Sequence, residues 1–137
     1  MAYFKWEDRY RIGHERVDQQ HRRLFKLINE LQQHADSGAG PEVAIEAINS
    51  LVDYAIAHFA DEEELMQEID FDGLIQHRWR HHSFVGKVAD MALEWGQGRE
   101  TSVDDILNFL KEWLLDHVLT EDMKIGAALK SRQKSRV

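Results

Sequence analysis

Two pairs of side chains with metal-ligand chemistry recur at four-residue spacing in this sequence: His58 with Glu62, and His77 with His81. Residues four apart on an α-helix lie on one face, one turn apart, so each pair presents two donor groups together. Imidazole and carboxylate are both ligands for divalent transition metals. Two more histidines, His21 and His117, stand alone elsewhere in the chain. One histidine pair is a weak signal. Two pairs and two single residues gain weight from the positions they occupy.

Those positions belong to the apolar stripes of four helical segments. Breaks at Ser37-Gly38-Ala39-Gly40-Pro41, Asp70-Phe71-Asp72-Gly73 and Gly96-Gln97-Gly98 separate segments at about 17–36, 42–69, 74–95 and 102–130. In the first, Val17, His21, Leu24, Ile28, Leu31 and Ala35 recur at helical spacing. The second reads Ala44, Ile48, Leu51, Ala55, His58, Glu62, Leu65 and Ile69. The third reads Leu74, His77, His81, Phe84, Val88, Met91 and Trp95, and the fourth Ile106, Leu110, Trp113 and His117. No comparable strand alternation occurs. Short connections between long helices predict an all-α, antiparallel up-down-up-down four-helix bundle. Pro41 suits a first helical turn, and Ser102-Val103-Asp104-Asp105 has the form of a capping box. Five histidines and a glutamate thus face a bundle core. Left uncompensated, they would cost more than the roughly 5–15 kcal/mol net stability of a small domain. A metal centre satisfies all of them at once.

The fourth segment changes phase. Spacing from His117 alone selects Glu121, but the later apolar residues Ile125 and Leu129 place Asp122 on the inner face. A one-residue insertion of this kind is a π-bulge, a feature common at functional sites. The sequence therefore predicts a bulge near 117–122 that turns Asp122 inward.

Composition bounds the alternatives. The 137 residues fit one domain: an extended arm at 1–16, a bundle at about 17–130 and a polar tail at 131–137. The arm holds Tyr3, Phe4, Trp6, Tyr10 and Ile12, too apolar for a free tail. A net charge of −8 argues against a general nucleic-acid binder. The absence of cysteine removes disulfides, thiolate metal sites and cysteine nucleophiles. Nothing reads as a membrane span or a signal peptide, so a cytoplasmic location is expected.

The combined pattern resembles the hemerythrin family, and the bacterial hemerythrins most closely. His21 within Val17-Asp18-Gln19-Gln20-His21-Arg22-Arg23-Leu24-Phe25, His58-Phe59-Ala60-Asp61-Glu62-Glu63, His77-x-x-x-His81 and His117-x-x-x-x-Asp122 carry the resemblance. Gly13 and Trp113 fit as well, and the likeness runs from about Trp6 to Leu129. It implies two non-haem iron ions with an oxo or hydroxo bridge, and dioxygen as ligand. His77, His81 and His117 would bind one iron, His21 and His58 the other, with Glu62 and Asp122 bridging. It favours Asp122 over Glu121, in agreement with the phase argument. If both irons are octahedral, this set leaves one open position, on the iron with two histidines.

Leu24, Phe59, Trp113 and Val118 neighbour the ligands along their helices and occupy positions of the kind that line hemerythrin oxygen pockets. His14, His34 and His82 read as non-ligands. Glu62 alone of the acidic run 61–64 falls on the stripe, and Arg22, Arg23, Arg78 and Arg80 read as surface residues. The function implied is reversible dioxygen binding by a carrier, store or delivery protein, not an enzyme. An oxygen- or redox-sensing module of a signalling protein, with a fused output domain, is the alternative. An oxygen-using protein is the partner a delivery role would require.

Overall fold

In the computed structural model, residues 4–38, 40–99 and 101–134 are described; Tyr3, named above in the arm, lies outside them. Helix α1 spans Glu15–Asp36, α2 Pro41–Glu68, α3 Leu74–Gly96 and α4 Val103–Asp116. A π-helical turn, His117–Glu121, joins α4 to α5 (Asp122–Lys134), so the last two helices form one bulged rod. Each rod packs on its sequence neighbours, and α1 also packs on α4, which closes the ring.

The core shows the alternation of direction. A large apolar cluster contains Leu24, Ile28, Leu31, Ile48, Leu51, Phe59, Phe84, Ile106 and Leu110. A smaller one contains Ile12, Val17, Leu65, Met66 and Ile125. Along α1 the order is small cluster, His21, large cluster; along α2 it reverses around His58 and Glu62. The α3 rod repeats the first order around His77 and His81, and the last rod reverses again around His117 and Asp122. The four rods therefore run up, down, up and down, with the polar groups in a layer between two apolar ones.

Local chemistry sets the ends. Ser102 caps α4 reciprocally: its Oγ accepts from Asp105 N at 3.1 Å, and its own N–H donates to Asp105 Oδ2 at 2.9 Å. Pro41 opens α2, where its missing N–H costs nothing. Helix α1 begins at Glu15, two residues before its apolar stripe, because the His14 ring nitrogen accepts from Val17 N and caps the turn. The last helix runs to Lys134, into the stretch read from the sequence as a polar tail. Helix α2 is apolar and long enough by length and composition to cross a membrane. Its buried residues, among them Ile48, Leu51, Ala55 and Phe59 together with His58 and Glu62, line the bundle interior, while Val43 and Ile56 are exposed.

Residues 4–14 of the arm contain one 3-10 turn, Asp8–Tyr10, flanked by extended backbone at Glu7 and Arg11. Phe4 exchanges two hydrogen bonds with the Asn29 amide, at 2.9 and 2.7 Å, and Trp6 meets Phe25 edge-to-face. Further along, buried Asp18 accepts from the backbone N–H groups of Ile12 (2.7 Å) and Gly13 (3.2 Å). Gly13 makes that turn at φ +94°, a conformation that favours glycine. Gly126 lets the arm lie against α5: a Cβ there would sit 3.0 Å from Ile12 Cα. Asp18→Ala would orphan these donors and is expected to cost about 2–4 kcal/mol in urea unfolding. A change below 0.5 kcal/mol would show that Asp18 does not tie down the arm.

Candidate metal centre

His21, His58, Glu62, His77, His81, His117 and Asp122 are all buried and meet in the middle of the bundle. The π-turn is the device that brings in Asp122. Its N–H donates to the carbonyl of His117, five residues back, and the carboxylate is completely buried. Glu121 instead pairs with Arg80 and Lys124 at the surface.

The donor atoms form two groups. Nε2 of His117 lies 3.0 Å from that of His77 and 3.1 Å from that of His81. Glu62 Oε1 lies 2.6 Å from His77 Nε2 and 3.2 Å from His81 Nε2, while Asp122 Oδ1 lies 3.0 and 3.2 Å from His77 and His117. The other oxygen of each carboxylate faces the remaining histidines. Glu62 Oε2 is 3.2 Å from His21 Nε2 and 3.0 Å from His58 Nε2, and Asp122 Oδ2 is 3.0 Å from His21 Nε2. Three nitrogens and Glu62 Oε1 thus cluster at one point, with Asp122 Oδ1 beside two of those nitrogens; two nitrogens and two oxygens cluster at another.

This arrangement fits two metal ions. Bonds of ~2.1 Å at right angles place neighbouring ligand atoms ~3.0 Å apart. Most of the separations above are close to that value. Both Asp122 oxygens and His58 Nε2 are buried without a hydrogen-bond partner, although imidazoles lie within 3.0–3.2 Å of the aspartate. Their lone pairs converge on shared points, as ligands do, and are not aimed at each other's protons.

Electrostatics holds the carboxylates charged. Burial works against both, yet the surrounding imidazoles keep Glu62 and Asp122 below the usual carboxylate range. Burial also disfavours the His21 imidazolium, but Asp122 and then Glu62 reverse this and lift its pKa to about 10. The same balance lifts His117 to about 9. For His58, burial prevails and the shift is downward. The metal-free site therefore favours protons on His21, His117 and His77 that ligation must displace. Ferrous loading at pH 7 is expected to release protons, and apparent affinity to rise between pH 6 and 9. Indicator-dye titration in weak buffer measures the release; pH-independent loading without it would contradict this charge balance.

The four residues expected to wall an oxygen pocket occupy different places. Phe59 stacks on His81 at 3.9 Å between ring centroids, and half-buried Trp113 stacks on His117 at 4.5 Å. Leu24 is buried one turn beyond His21, and Val118 is buried in the π-turn beside His117. His14 is a helix cap; His34 is half-buried and His82 exposed, and neither belongs to the donor groups.

The sequence reading missed the residues behind the ligands. His58 Nδ1 meets Gln20 Oε1 at 2.7 Å; Gln20 Nε2 donates to Asp61 Oδ2 at 2.7 Å; Arg16 pairs with Asp61 at 3.1 Å. His81 Nδ1 meets Glu63 Oε2 at 3.0 Å, and Arg78 Nε donates to the other Glu63 oxygen at 2.9 Å. Asp61, Glu63 and Arg78 are thus not merely solvated surface. The detectable signal was their position beside ligands: Gln20 precedes His21, and Asp61 and Glu63 flank Glu62.

Comparison with known proteins identifies the family. Residues 12–129 match the hemerythrin HHE cation binding domain. A bacteriohemerythrin from Stenotrophomonas maltophilia is 34% identical over 132 residues, covering 96% of this chain and 84% of the relative. A hemerythrin-like protein from Naegleria gruberi is 29% identical, covering 92% of this chain and 93% of the relative. A crystal structure of wild-type hemerythrin superposes with a TM-score of 0.81 at 26% identity, covering 93% of this chain and 98% of the other. The fold and the buried donor set define a metal-binding four-helix bundle. The chain belongs to the hemerythrin family, whose members are oxygen-binding proteins and not enzymes. A hemerythrin-type non-haem iron site and oxygen binding follow from that membership.

Proposed function

We propose that this chain binds dioxygen reversibly at a di-iron centre and acts as a carrier, store or delivery protein in the cytoplasm. The observation that carries the reading is that both carboxylates divide between the two groups of histidines: Glu62 has one oxygen toward His77, His81 and His117 and the other toward His21 and His58, and Asp122 has one toward His77 and His117 and the other toward His21. His77, His81 and His117 would hold one iron and His21 and His58 the other, with both carboxylates and an oxo or hydroxo group between them. The two irons would supply the electrons and the open position that dioxygen needs.

The chain's own residues supply the rest. Five neutral imidazoles and two carboxylates give less anionic stabilisation to high-valent iron than an all-carboxylate set would. That balance suits reversible binding better than O–O cleavage. Apolar clusters lie on both sides of the polar layer and exclude bulk water from it. Phe59 and Trp113 hold the His81 and His117 rings in place by stacking on them. The His58 ring is tied at Nδ1 through Gln20 and the His81 ring at Nδ1 through Glu63, which leaves Nε2 of each free to ligate.

The test is anaerobic loading with ferrous iron, metal analysis, and optical spectra with and without dioxygen. About two irons per chain and a visible band that appears with dioxygen and fades under vacuum support the reading. Irreversible oxidation at first exposure would contradict it. Leu24→Ala opens space beside His21 and is expected to speed autoxidation several-fold; an unchanged rate would remove Leu24 from the pocket.

A further inference from the structure

Three of the four consecutive acidic residues of α2, Asp61, Glu62 and Glu63, do three different jobs. Successive residues are turned by about 100° around a helix. With Glu62 facing the bundle centre, Asp61 is turned toward α1 and Glu63 toward α3, the two helices beside α2. Asp61 is bonded to Gln20 of α1, and Glu63 to His81 of α3.

The two contacts differ in charge. His58 Nε2 lies 3.0 Å from Glu62 Oε2, so for ligation Nδ1 must carry the proton and donate to Gln20 Oε1. That assignment orients the Gln20 amide, whose Nε2–H donates to Asp61. His58 therefore meets a neutral amide oxygen, with the Asp61 charge one amide further away and paired to Arg16. His81 Nδ1–H meets the Glu63 carboxylate directly, and Arg78 fixes the other Glu63 oxygen. A hydrogen bond to a carboxylate is about twice as strong as one between neutral groups. It also raises the donor strength of the imidazole.

From this asymmetry we propose that Glu63 and Gln20 are positioning residues that make the two metal positions unequal. Glu63 strengthens the three-histidine position through His81, and Gln20 leaves the two-histidine position the weaker through His58. The three-histidine position then fills first and holds its ion longer. The inference rests on the two-metal reading above.

The test uses the full-length metal-free chain, titrated with cobalt(II) and followed by the visible bands of the ion. The wild type is expected to take up two ions in two steps. Glu63→Gln should weaken the tighter step about 10–100-fold and leave the other within twofold. Gln20→Met should weaken only the looser step, by less than tenfold. A second readout is proton NMR of the zinc(II)-loaded chain. The His81 Nδ1–H resonance is expected downfield of that of His58, and Glu63→Gln should move it upfield without moving that of His58. Two ions with both steps altered equally, or neither altered, would overturn the inference alone, as would coincident Nδ1–H resonances. Fewer than two cobalt ions in the wild type would overturn the two-metal reading and the inference with it.

Discussion

Glu62→Gln is expected to reduce bound iron from about two ions per chain to fewer than one and to abolish the dioxygen-dependent band. The change preserves shape and removes one charge, so its effect isolates the carboxylate. Glu62 lies within 3.2 Å of four imidazole nitrogens, two from each donor group. An amide has one lone-pair oxygen where the carboxylate has two, so it cannot face both groups. Losing one partner from a buried ionic set costs about 3–5 kcal/mol, or about 150-fold to 5,000-fold in affinity. Iron analysis after anaerobic loading and desalting measures the loss. Two irons retained in Glu62→Gln would show that the carboxylate does not bridge.

Removing the metal is expected to produce the second large effect. Seven ionisable side chains meet in the middle of the core, where taking charge out of water is costly. A ligand present at a thousand times its dissociation constant adds about 4 kcal/mol, so two such ions add about 8 kcal/mol. In a chain of this size that corresponds to a fall in Tm of at least about 20 °C on chelation. Melts followed by far-UV circular dichroism, before and after anaerobic chelation, measure it. A shift under 5 °C would mean that the imidazole–carboxylate network is self-sufficient.

Much of this architecture was legible because the polar residues broke an otherwise regular pattern. His21, His58, His77, His81 and His117 stood in the helical stripes where leucine or isoleucine belonged, so their convergence followed from packing. The π-turn was legible for a related reason. Ile125 and Leu129 resumed the stripe one residue late, and the extra residue had to be accommodated between His117 and Asp122. The second layer was not legible. Gln20, Asp61 and Glu63 lie off the stripes, and surface residues have the same periodicity. Their roles depend on lateral reach to a neighbouring helix, which one-dimensional spacing does not encode. The start of α1 was missed because His14 caps it with a ring nitrogen, outside the usual Ser, Thr, Asp and Asn set. The end of the last helix was missed because a polar segment can extend a helix already anchored by Ile125.

The central claim is that Glu62 and Asp122 hold two irons between unequal sets of histidines. Anomalous diffraction at the iron edge, from crystals grown anaerobically with ferrous iron, tests it most directly. Two peaks per chain about 3.5–4 Å apart are predicted, one beside His77, His81 and His117 and the other beside His21 and His58. A single peak, or two peaks that do not share Glu62 and Asp122, would contradict it.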